Sequence, residues 1–205
     1  MTNADAARTL AHADCLRPEN RFGAAFFEEH LQLVVQHALR LAGPLGADRE
    51  VVELAGWLHD LAAVRDFSCL PTHAADGARL AAAWLGERGA PPATVEAVRR
   101  SVASHSAPVA PGAGTLEEVC LSNADVLAQL SRPAYWFHYL YGVRGLTREA
   151  GLAWFRGRAV DAWAALTPEA QAMGAAEREV VLRLLQAPGG EAGTSPQRPL
   201  TPPAG

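Results

Sequence analysis

Residues 54–61, Leu-Ala-Gly-Trp-Leu-His-Asp-Leu, set a histidine beside an aspartate inside an apolar stretch of the chain. Nearly all the other positions between 51 and 61 are apolar or small, which is typical of a helix buried on all sides. Burying an imidazole or a carboxylate without a partner costs free energy. A divalent metal ion is a suitable partner, because both groups are common metal ligands. We therefore predict that His59 and Asp60 bind metal.

The segments around this stretch also carry helical patterns. Apolar residues recur every three or four positions, and no run alternates as a β-strand does. The fold is therefore predicted to be all-α. Helices are predicted at 22–42, 48–63, 73–88, 92–105, 115–131, 148–166 and 168–186.

Composition along the chain suggests its domain limits. Residues 1–21 are predicted to be a peripheral N-terminal segment, and 22–186 a single helical domain. The region 187–205 is rich in proline, glycine and threonine and is predicted to be a disordered tail. Gly43-Pro44 is predicted to stop the first helix, and Thr115 with Glu118 is a capping box that starts a later one.

Charge and cysteine usage exclude several classes of protein. The net charge is -4 and no basic stripe is visible, so no nucleic-acid polymer is expected as a partner. The three cysteines are scattered without a C-x-x-C pair, which argues against a disulfide framework and for a reducing compartment. Neither a signal peptide nor a long apolar span is visible, so we expect a cytoplasmic protein without membrane contact. The sequence neither predicts nor excludes a homodimer.

Several further ionisable residues lie within the predicted helices. Helix bundles build metal sites from such inward side chains on facing helices. Two metal ions about 3.5–4 Å apart could share one bridging carboxylate. The alternative is a structural role, in which each polar group is hydrogen-bonded at a helix contact, His73 is an exposed first-turn residue and His105 is favoured by a helix C-terminus. The set is His30, His59, Asp60, His73, His105 and Asp125.

The order of these residues, His…His-Asp…His…His…Asp, resembles the HD-domain superfamily, a group of all-helical metalloproteins that are mostly phosphohydrolases. Residues 53–60 are similar to its namesake motif, 72–78 to its third-histidine segment and 123–126 to its last aspartate. His30 with Val34 is similar to its first helix. The resemblance covers about residues 22–131. It implies an HD-domain helical bundle with additional C-terminal helices, whose role it leaves unassigned.

The resemblance also implies how the ligands are divided. His30, His59, Asp60 and Asp125 would hold a first divalent ion. His73 and His105 would hold a second, with Asp60 as the bridging and catalytic carboxylate. The ion would be manganese, iron, magnesium or zinc, with one or two bound, and water activated by the metal would be the nucleophile.

A small phosphorylated substrate such as a nucleotide is the partner that the resemblance implies. Arg65, Arg99 and Arg100 are candidate phosphate contacts from their positions, because the guanidinium fork suits phosphate oxygens. His37, seven residues after His30 on the same helix face, is a candidate pocket residue. No lysine follows the His-Asp pair, in contrast to many hydrolases of the family, so the substrate stays open.

Two other functions fit the same residues. HD-fold di-iron oxygenases, which resemble myo-inositol oxygenase and cleave C–C or C–P bonds, use a similar set of four histidines and two aspartates, and iron accepts these ligands. A non-catalytic HD protein that binds a nucleotide or a partner is the second alternative. Metal content, oxygen dependence and stability after chelation would separate the three.

Overall fold

The computed structural model describes residues 1–186, and that part of the chain is all-α, without a strand. Most of it lies in α-helices, interrupted by π-helical segments at Phe27–Leu31, Tyr139–Val143 and Gly157–Ala162 and by a 3-10 turn at Phe67–Cys69. The α-helices are α1 (Asn3–Cys15), α2 (Gln32–Leu45), α3 (Arg49–Leu58), α4 (Leu61–Arg65), α5 (His73–Glu87), α6 (Pro92–Ser104), α7 (Leu116–Ser131), α8 (Pro133–His138), α9 (Arg148–Arg156) and α10 (Pro168–Leu184). The predicted all-α fold is confirmed.

The centre of the bundle is formed by α2, α3, α6 and α7, with α5 packed on α6 and α10 on α7. Close approach of α2 and α3 depends on Gly56, since a Cβ there would lie 2.8 Å from Val35 Cγ2. Helix α7 is buried along most of its length, from Glu118 to Leu130. It therefore acts as the central element around which the others pack.

Side-chain caps start five of the helices, and three of these caps lie on helices close to the site. Asp48 Oδ1 accepts hydrogen bonds from the N–H groups of Glu50 and Val51 at the start of α3. The capping box of α7 is present: Glu118 N–H donates to Thr115 Oγ1 at 3.3 Å, and Thr115 N–H donates to Glu118 Oε2 at 2.6 Å. The third is Thr167 at α10.

The central helix differs from its prediction, because it does not continue to residue 63. It ends at Leu58, and Asp60 leaves the helical region with φ -99° and ψ 9° before α4 begins. In a continuous helix, neighbouring side chains point about 100° apart. The break instead brings His59 Nε2 to 3.2 Å from Asp60 Oδ2. The irregular backbone thus lets two consecutive residues reach one point.

Gly43-Pro44 does not stop the preceding helix as predicted, since α2 includes Pro44 and ends at Leu45. Gly46, with φ +73°, is the residue that terminates it. A left-handed backbone of this kind suits glycine, which has no Cβ to clash.

The N-terminal segment is not peripheral, contrary to the prediction for residues 1–21. Helix α1 packs on α3 and α4, and Ala7, Ala11 and Cys15 belong to the hydrophobic core. These small side chains follow the four-residue spacing of one helix face, so the helix can approach its neighbours closely. The predicted disordered tail at 187–205 lies outside the described residues. Among residues 1–186, no helix combines the length and the apolar character needed to cross a membrane.

Candidate metal centre

The six candidate ligands lie on five neighbouring parts of the bundle, and most of them lie at irregular positions of the backbone. His30 is in the π-helical segment Phe27–Leu31, and His59 and Asp60 are in the break between α3 and α4. His73 begins α5, and His105 directly follows α6. The sixth, Asp125, is in the middle of α7. Local departures from helical geometry are frequent at functional sites.

The carboxylate of Asp60 lies between two pairs of histidines. Its Oδ2 atom is 3.4 Å from His30 Nε2 and 3.2 Å from His59 Nε2. Its Oδ1 atom is 3.5 Å from His73 Nε2 and 3.6 Å from His105 Nε2. The two oxygens therefore face two different groups of nitrogen ligands, which is the arrangement of a bridging carboxylate. Each group, His30 with His59 or His73 with His105, could hold an ion together with Asp60.

Asp125 joins the first of these groups from the opposite helix. Its Oδ1 atom is 3.2 Å from His30 Nε2, and its Oδ2 atom accepts a hydrogen bond of 3.0 Å from Gln129 Nε2. Gln129 follows Asp125 by one helical turn and so fixes the orientation of the carboxylate. The structure thus brings all six predicted ligands together.

Backbone carbonyls set the proton positions on three of the four imidazoles. A carbonyl oxygen can only accept, so each Nδ1 atom carries a proton and donates it, which leaves the Nε2 lone pair free in the neutral ring. Metal-bound histidines are usually oriented by such a second hydrogen bond. The pairs are His59 with Gly56 O at 2.8 Å, His73 with Leu70 O at 2.7 Å, and His105 with Val102 O at 2.7 Å.

The Nε2 atoms lie close together, although neutral His59, His73 and His105 have no proton there to share. His30, whose Nδ1 has no hydrogen-bond partner within the described residues, is the one ring that can carry its proton on Nε2. His73 and His105 are 3.1 Å apart at Nε2, and His30 and His59 are 3.2 Å apart. Two lone pairs at this distance repel each other unless a cation or a proton lies near both. The donor set, four imidazole nitrogens and two carboxylates, therefore fits one or two borderline divalent ions.

The electrostatics of the buried cluster favour positive charge. Burial lowers the pKa of His30, but hydrogen bonds to Asp125 and Asp60 outweigh burial and raise this pKa to about 9. Burial raises the pKa of Asp60, but the charge of His59 and hydrogen bonds from His105 and His30 hold it well below its usual value. Both carboxylates are buried, with 9% of Asp60 and 4% of Asp125 exposed. A buried pair of ionised carboxylates calls for cationic partners.

A close helix contact holds the His59 backbone in place. Gly77 of α5 faces the His59 carbonyl oxygen, and a Cβ at Gly77 would lie 2.9 Å from that oxygen. Any side chain at residue 77 would push α5 away from the break that carries His59 and Asp60. The glycine therefore lets α5, which begins with His73, approach the other ligands.

A partly open cavity of about 190 Å³ lies beside the cluster. Four of the six ligands line it: Asp60, His73, His105 and Asp125. Aromatic side chains form much of the remaining wall: Phe22, Trp136, Tyr139 and Trp154. Two arginines, Arg144 and Arg158, complete its polar lining together with Gln129 and Ser106. The cavity is below the 300–1,000 Å³ of typical ligand pockets, so it suits a small group rather than a whole large ligand.

Two of the predicted substrate contacts lie elsewhere. Arg65 Nε forms an ion pair of 2.8 Å with Asp14 Oδ2 on α1, and Arg65 does not line the cavity. His37 Nε2 is 3.4 Å from Ser131 Oγ and is also absent from the cavity wall. The helical register explains His37, because seven residues carry it about two turns along α2, away from His30. Neither residue is retained as a substrate contact.

The other two residues predicted to contact phosphate form ion pairs with carboxylates instead. Arg99 Nη2 lies 2.6 Å from Glu96 Oε1 on the outside of α6. Arg100 Nε lies 3.3 Å from Glu118 Oε1 of α7. Both arginines precede His105 by one or two helical turns and are therefore close to it in sequence. Their side chains nevertheless point away from the cavity. These two assignments are also corrected.

The sequence reasoning missed Gln129, Arg144 and Arg158. Gln129 could have been predicted, because it follows Asp125 by four residues and therefore lies on the same helix face. Arg144 and Arg158 belong to the segment after residue 131, where no motif marked them. Their presence at the cavity results from the packing of the C-terminal helices against α7.

Comparisons with known proteins agree with this geometry. The family model described as HD domain matches residues 27–130, half of the chain. Two solved structures are similar. Bacillus subtilis YpgQ in complex with ADP matches with a TM-score of 0.65 and 18% sequence identity, and a protein from Lactobacillus plantarum matches with a TM-score of 0.65 and 20% sequence identity. Each match covers 89% of this chain and 93% of the other chain, so the shared fold extends beyond residues 27–130. No curated protein matches the chain.

Proposed function

The chain belongs to the HD-domain family, whose members are typically metal-dependent phosphohydrolases, and on this premise we propose that it hydrolyses a small phosphoester such as a nucleotide with the help of two divalent ions. The proposal rests on one observation above all. The two oxygens of Asp60 face two separate pairs of histidine nitrogens. A carboxylate placed in this way supports a binuclear centre.

In this proposal, His30, His59, Asp60 and Asp125 would hold one ion, and His73, His105 and Asp60 would hold the other. Divalent ions at such a site activate water and offset the charge of phosphoryl oxygens. The protein's own contribution is orientation. Backbone carbonyls fix the three rings of His59, His73 and His105, and Gln129 fixes Asp125.

The cavity supplies the remaining requirements for phosphoryl transfer. Its aromatic wall limits the entry of water, and its two arginines offer donors to the substrate's anionic oxygens. The bound ADP of YpgQ makes nucleotides the first class of substrate to test, although its 18% identity supports a common fold and not a common substrate.

The test begins with protein purified without oxygen, and it measures metal content and phosphate release from a panel of nucleotides. We expect phosphate release that requires manganese or magnesium and proceeds equally under nitrogen and air. His105→Gln should abolish most of this activity, whereas the exposed His12→Gln on α1 should not.

Two results would contradict the proposal. Iron in the purified protein with turnover that consumes dioxygen would favour the di-iron oxygenase instead. No turnover on any substrate, together with a melting temperature that chelation leaves unchanged, would favour a non-catalytic binding protein, because a bound metal stabilises the folded state.

A further inference from the structure

The cavity wall opposite the metal ligands comes from outside the part of the chain that matches the HD domain. That match ends at residue 130, whereas Trp136, Arg144, Trp154 and Arg158 all follow it. The catalytic ligands and this wall are therefore separate parts of the fold. Substrate preference can depend on the wall while the ligands stay the same.

Arg158 is held in place against an aromatic ring. Its guanidinium carbon lies 5.2 Å from the centre of the Trp154 ring, and Trp154 stacks on Trp136 at 5.4 Å. The π-helical segment Gly157–Ala162 carries Arg158. Stacking on tryptophan orients a guanidinium without using its hydrogen-bond donors, so these donors stay available to a ligand.

Neither arginine of the wall has an acidic partner in the part of the chain that the structure describes. Within residues 1–186, no carboxylate lies within 4.0 Å of the side-chain nitrogens of Arg144 or Arg158. Arg65, Arg99 and Arg100 differ, since each forms an ion pair.

The resulting charge is larger than one phosphate group requires. Two divalent ions would bring four positive charges to the cavity, and the carboxylates of Asp60 and Asp125 offset two of them. Arg144 and Arg158 then add two more. A phosphomonoester carries about two negative charges and leaves the arginines unpaired, whereas a chain of two or three phosphates can pair with all these groups.

We propose that Arg144 and Arg158 bind an anionic group of the substrate beyond the phosphate held by the metals, so that the enzyme prefers a phosphoanhydride chain to a phosphomonoester. This inference rests on the proposed phosphohydrolase function. Hydrolysis would break one P–O bond of the anhydride and form one to the oxygen of water. The leaving phosphate takes the electron pair of the broken bond, and one proton of the water is released.

The space beside Arg158 accommodates the rest of such a substrate. A second, open groove of about 490 Å³ shares Trp154 and Arg158 with the first cavity and is otherwise lined by small residues such as Ala153 and Ala165 and by Asp161. A substrate whose phosphate chain starts at the metal ligands and reaches Arg158 can therefore place its remaining part beside this groove. Such a phosphate chain occurs in nucleotides and in inorganic polyphosphate, and the experiment separates these two sources.

The experiment measures equilibrium binding by calorimetry to the manganese-loaded protein. The probes are inorganic phosphate, methylenediphosphonate and an α,β-methylene nucleoside diphosphate, none of which needs turnover. We expect Arg158→Gln and Arg144→Gln each to weaken methylenediphosphonate binding about 10-fold and phosphate binding less than 3-fold. Arg99→Gln is the matched control, since Arg99 is paired with Glu96 outside the cavity, and it should change neither affinity.

Arg158→Lys keeps the charge but loses the stacked guanidinium, so it should lose less methylenediphosphonate affinity than Arg158→Gln, and equal melting temperatures of wild type and both variants guard against misfolding. If the nucleoside probe binds more tightly than methylenediphosphonate, the substrate is a nucleotide. If the two probes bind equally, the substrate is an inorganic phosphate chain. Both outcomes support the inference. The inference would be overturned if both glutamine variants bound methylenediphosphonate as tightly as wild type does. It would also be overturned if they lost as much affinity for phosphate as for methylenediphosphonate. Because binding is measured without turnover, failure of the proposed hydrolase activity would be seen separately.

Discussion

The backbone N–H of Thr167 donates a hydrogen bond of 2.8 Å to Asn123 Oδ1, which joins the start of α10 to the helix that carries Asp125. Asn123 lies two residues before Asp125 and is fully buried. Its Nδ2 atom donates to Val119 O at 2.8 Å, so both ends of the amide are used. The C-terminal helices, which carry Arg158, are thus attached directly beside the candidate metal ligand Asp125.

Replacing Asn123 should loosen this attachment. Asn123→Ala leaves the buried N–H of Thr167 without an acceptor and creates a small void. We expect the free energy of unfolding to fall by about 2–3 kcal/mol in chemical denaturation. The exposed Gln36→Ala on α2 is the control and should change it by less than about 0.5 kcal/mol. Equal denaturation midpoints for the two variants would show that the hydrogen bond is unimportant.

Two glycines of α5 should respond in opposite ways to alanine. Gly77→Ala places a Cβ 2.9 Å from the His59 carbonyl oxygen, and we expect it to destabilise the fold by about 1–3 kcal/mol. Gly86→Ala meets no atom within 4 Å and should be neutral or stabilise by about 0.5–1 kcal/mol through helix propensity. Thermal unfolding of both variants provides the measurement. A neutral Gly77→Ala would mean that α5 can shift freely from the break.

Removal of the bridging carboxylate should reduce both metal content and activity. Asp60→Asn keeps the size of the side chain but loses the charge that faces all four histidines. We expect bound metal, measured by mass spectrometry, to fall from two ions per chain to one or none, and phosphate release to fall at least about 100-fold. Asp76→Asn on α5, whose carboxylate pairs with Thr72 and Arg79, should leave both unchanged. A variant at residue 60 that kept both ions would refute the bridging role.

Acid should destabilise the protein through His37. Burial lowers the pKa of His37 to about 4, and its Nδ1 atom has no hydrogen-bond partner within the described residues. Between about pH 6.5 and 4 the unfolded chain binds a proton that the folded chain does not. The free energy of unfolding therefore falls as the pH falls through this window, by roughly 2–3 kcal/mol from this group alone.

His37→Gln should remove that contribution, so the stability of wild type relative to this variant should decline from pH 7 to pH 4. Titrations that the two proteins share cancel in the comparison. The exposed His138→Gln should follow the wild-type curve. A difference between wild type and His37→Gln that stays constant across the window would show that His37 titrates normally in the folded state.

The ligands could be predicted from the sequence because a buried charge needs a partner. His59 and Asp60 stand out against an apolar helix, and the family order then identifies the other ligands. The break after Leu58 could not be predicted in this way, since no proline or capping residue marks it. Arg158 was missed for a different reason. It lies more than thirty residues after Asp125, and only the packing of the last helices determines that both line one cavity.

The three imidazoles that donate to a carbonyl all use the residue three positions earlier in the chain, namely Gly56, Leu70 and Val102. Because the acceptor is the main chain, the identity of these three side chains does not affect the hydrogen bond. Relatives can therefore diverge at these positions without losing the tautomer that the ligand requires. Each ring is oriented by a hydrogen bond within a single turn of its own segment, without a contact to the distant parts of the bundle.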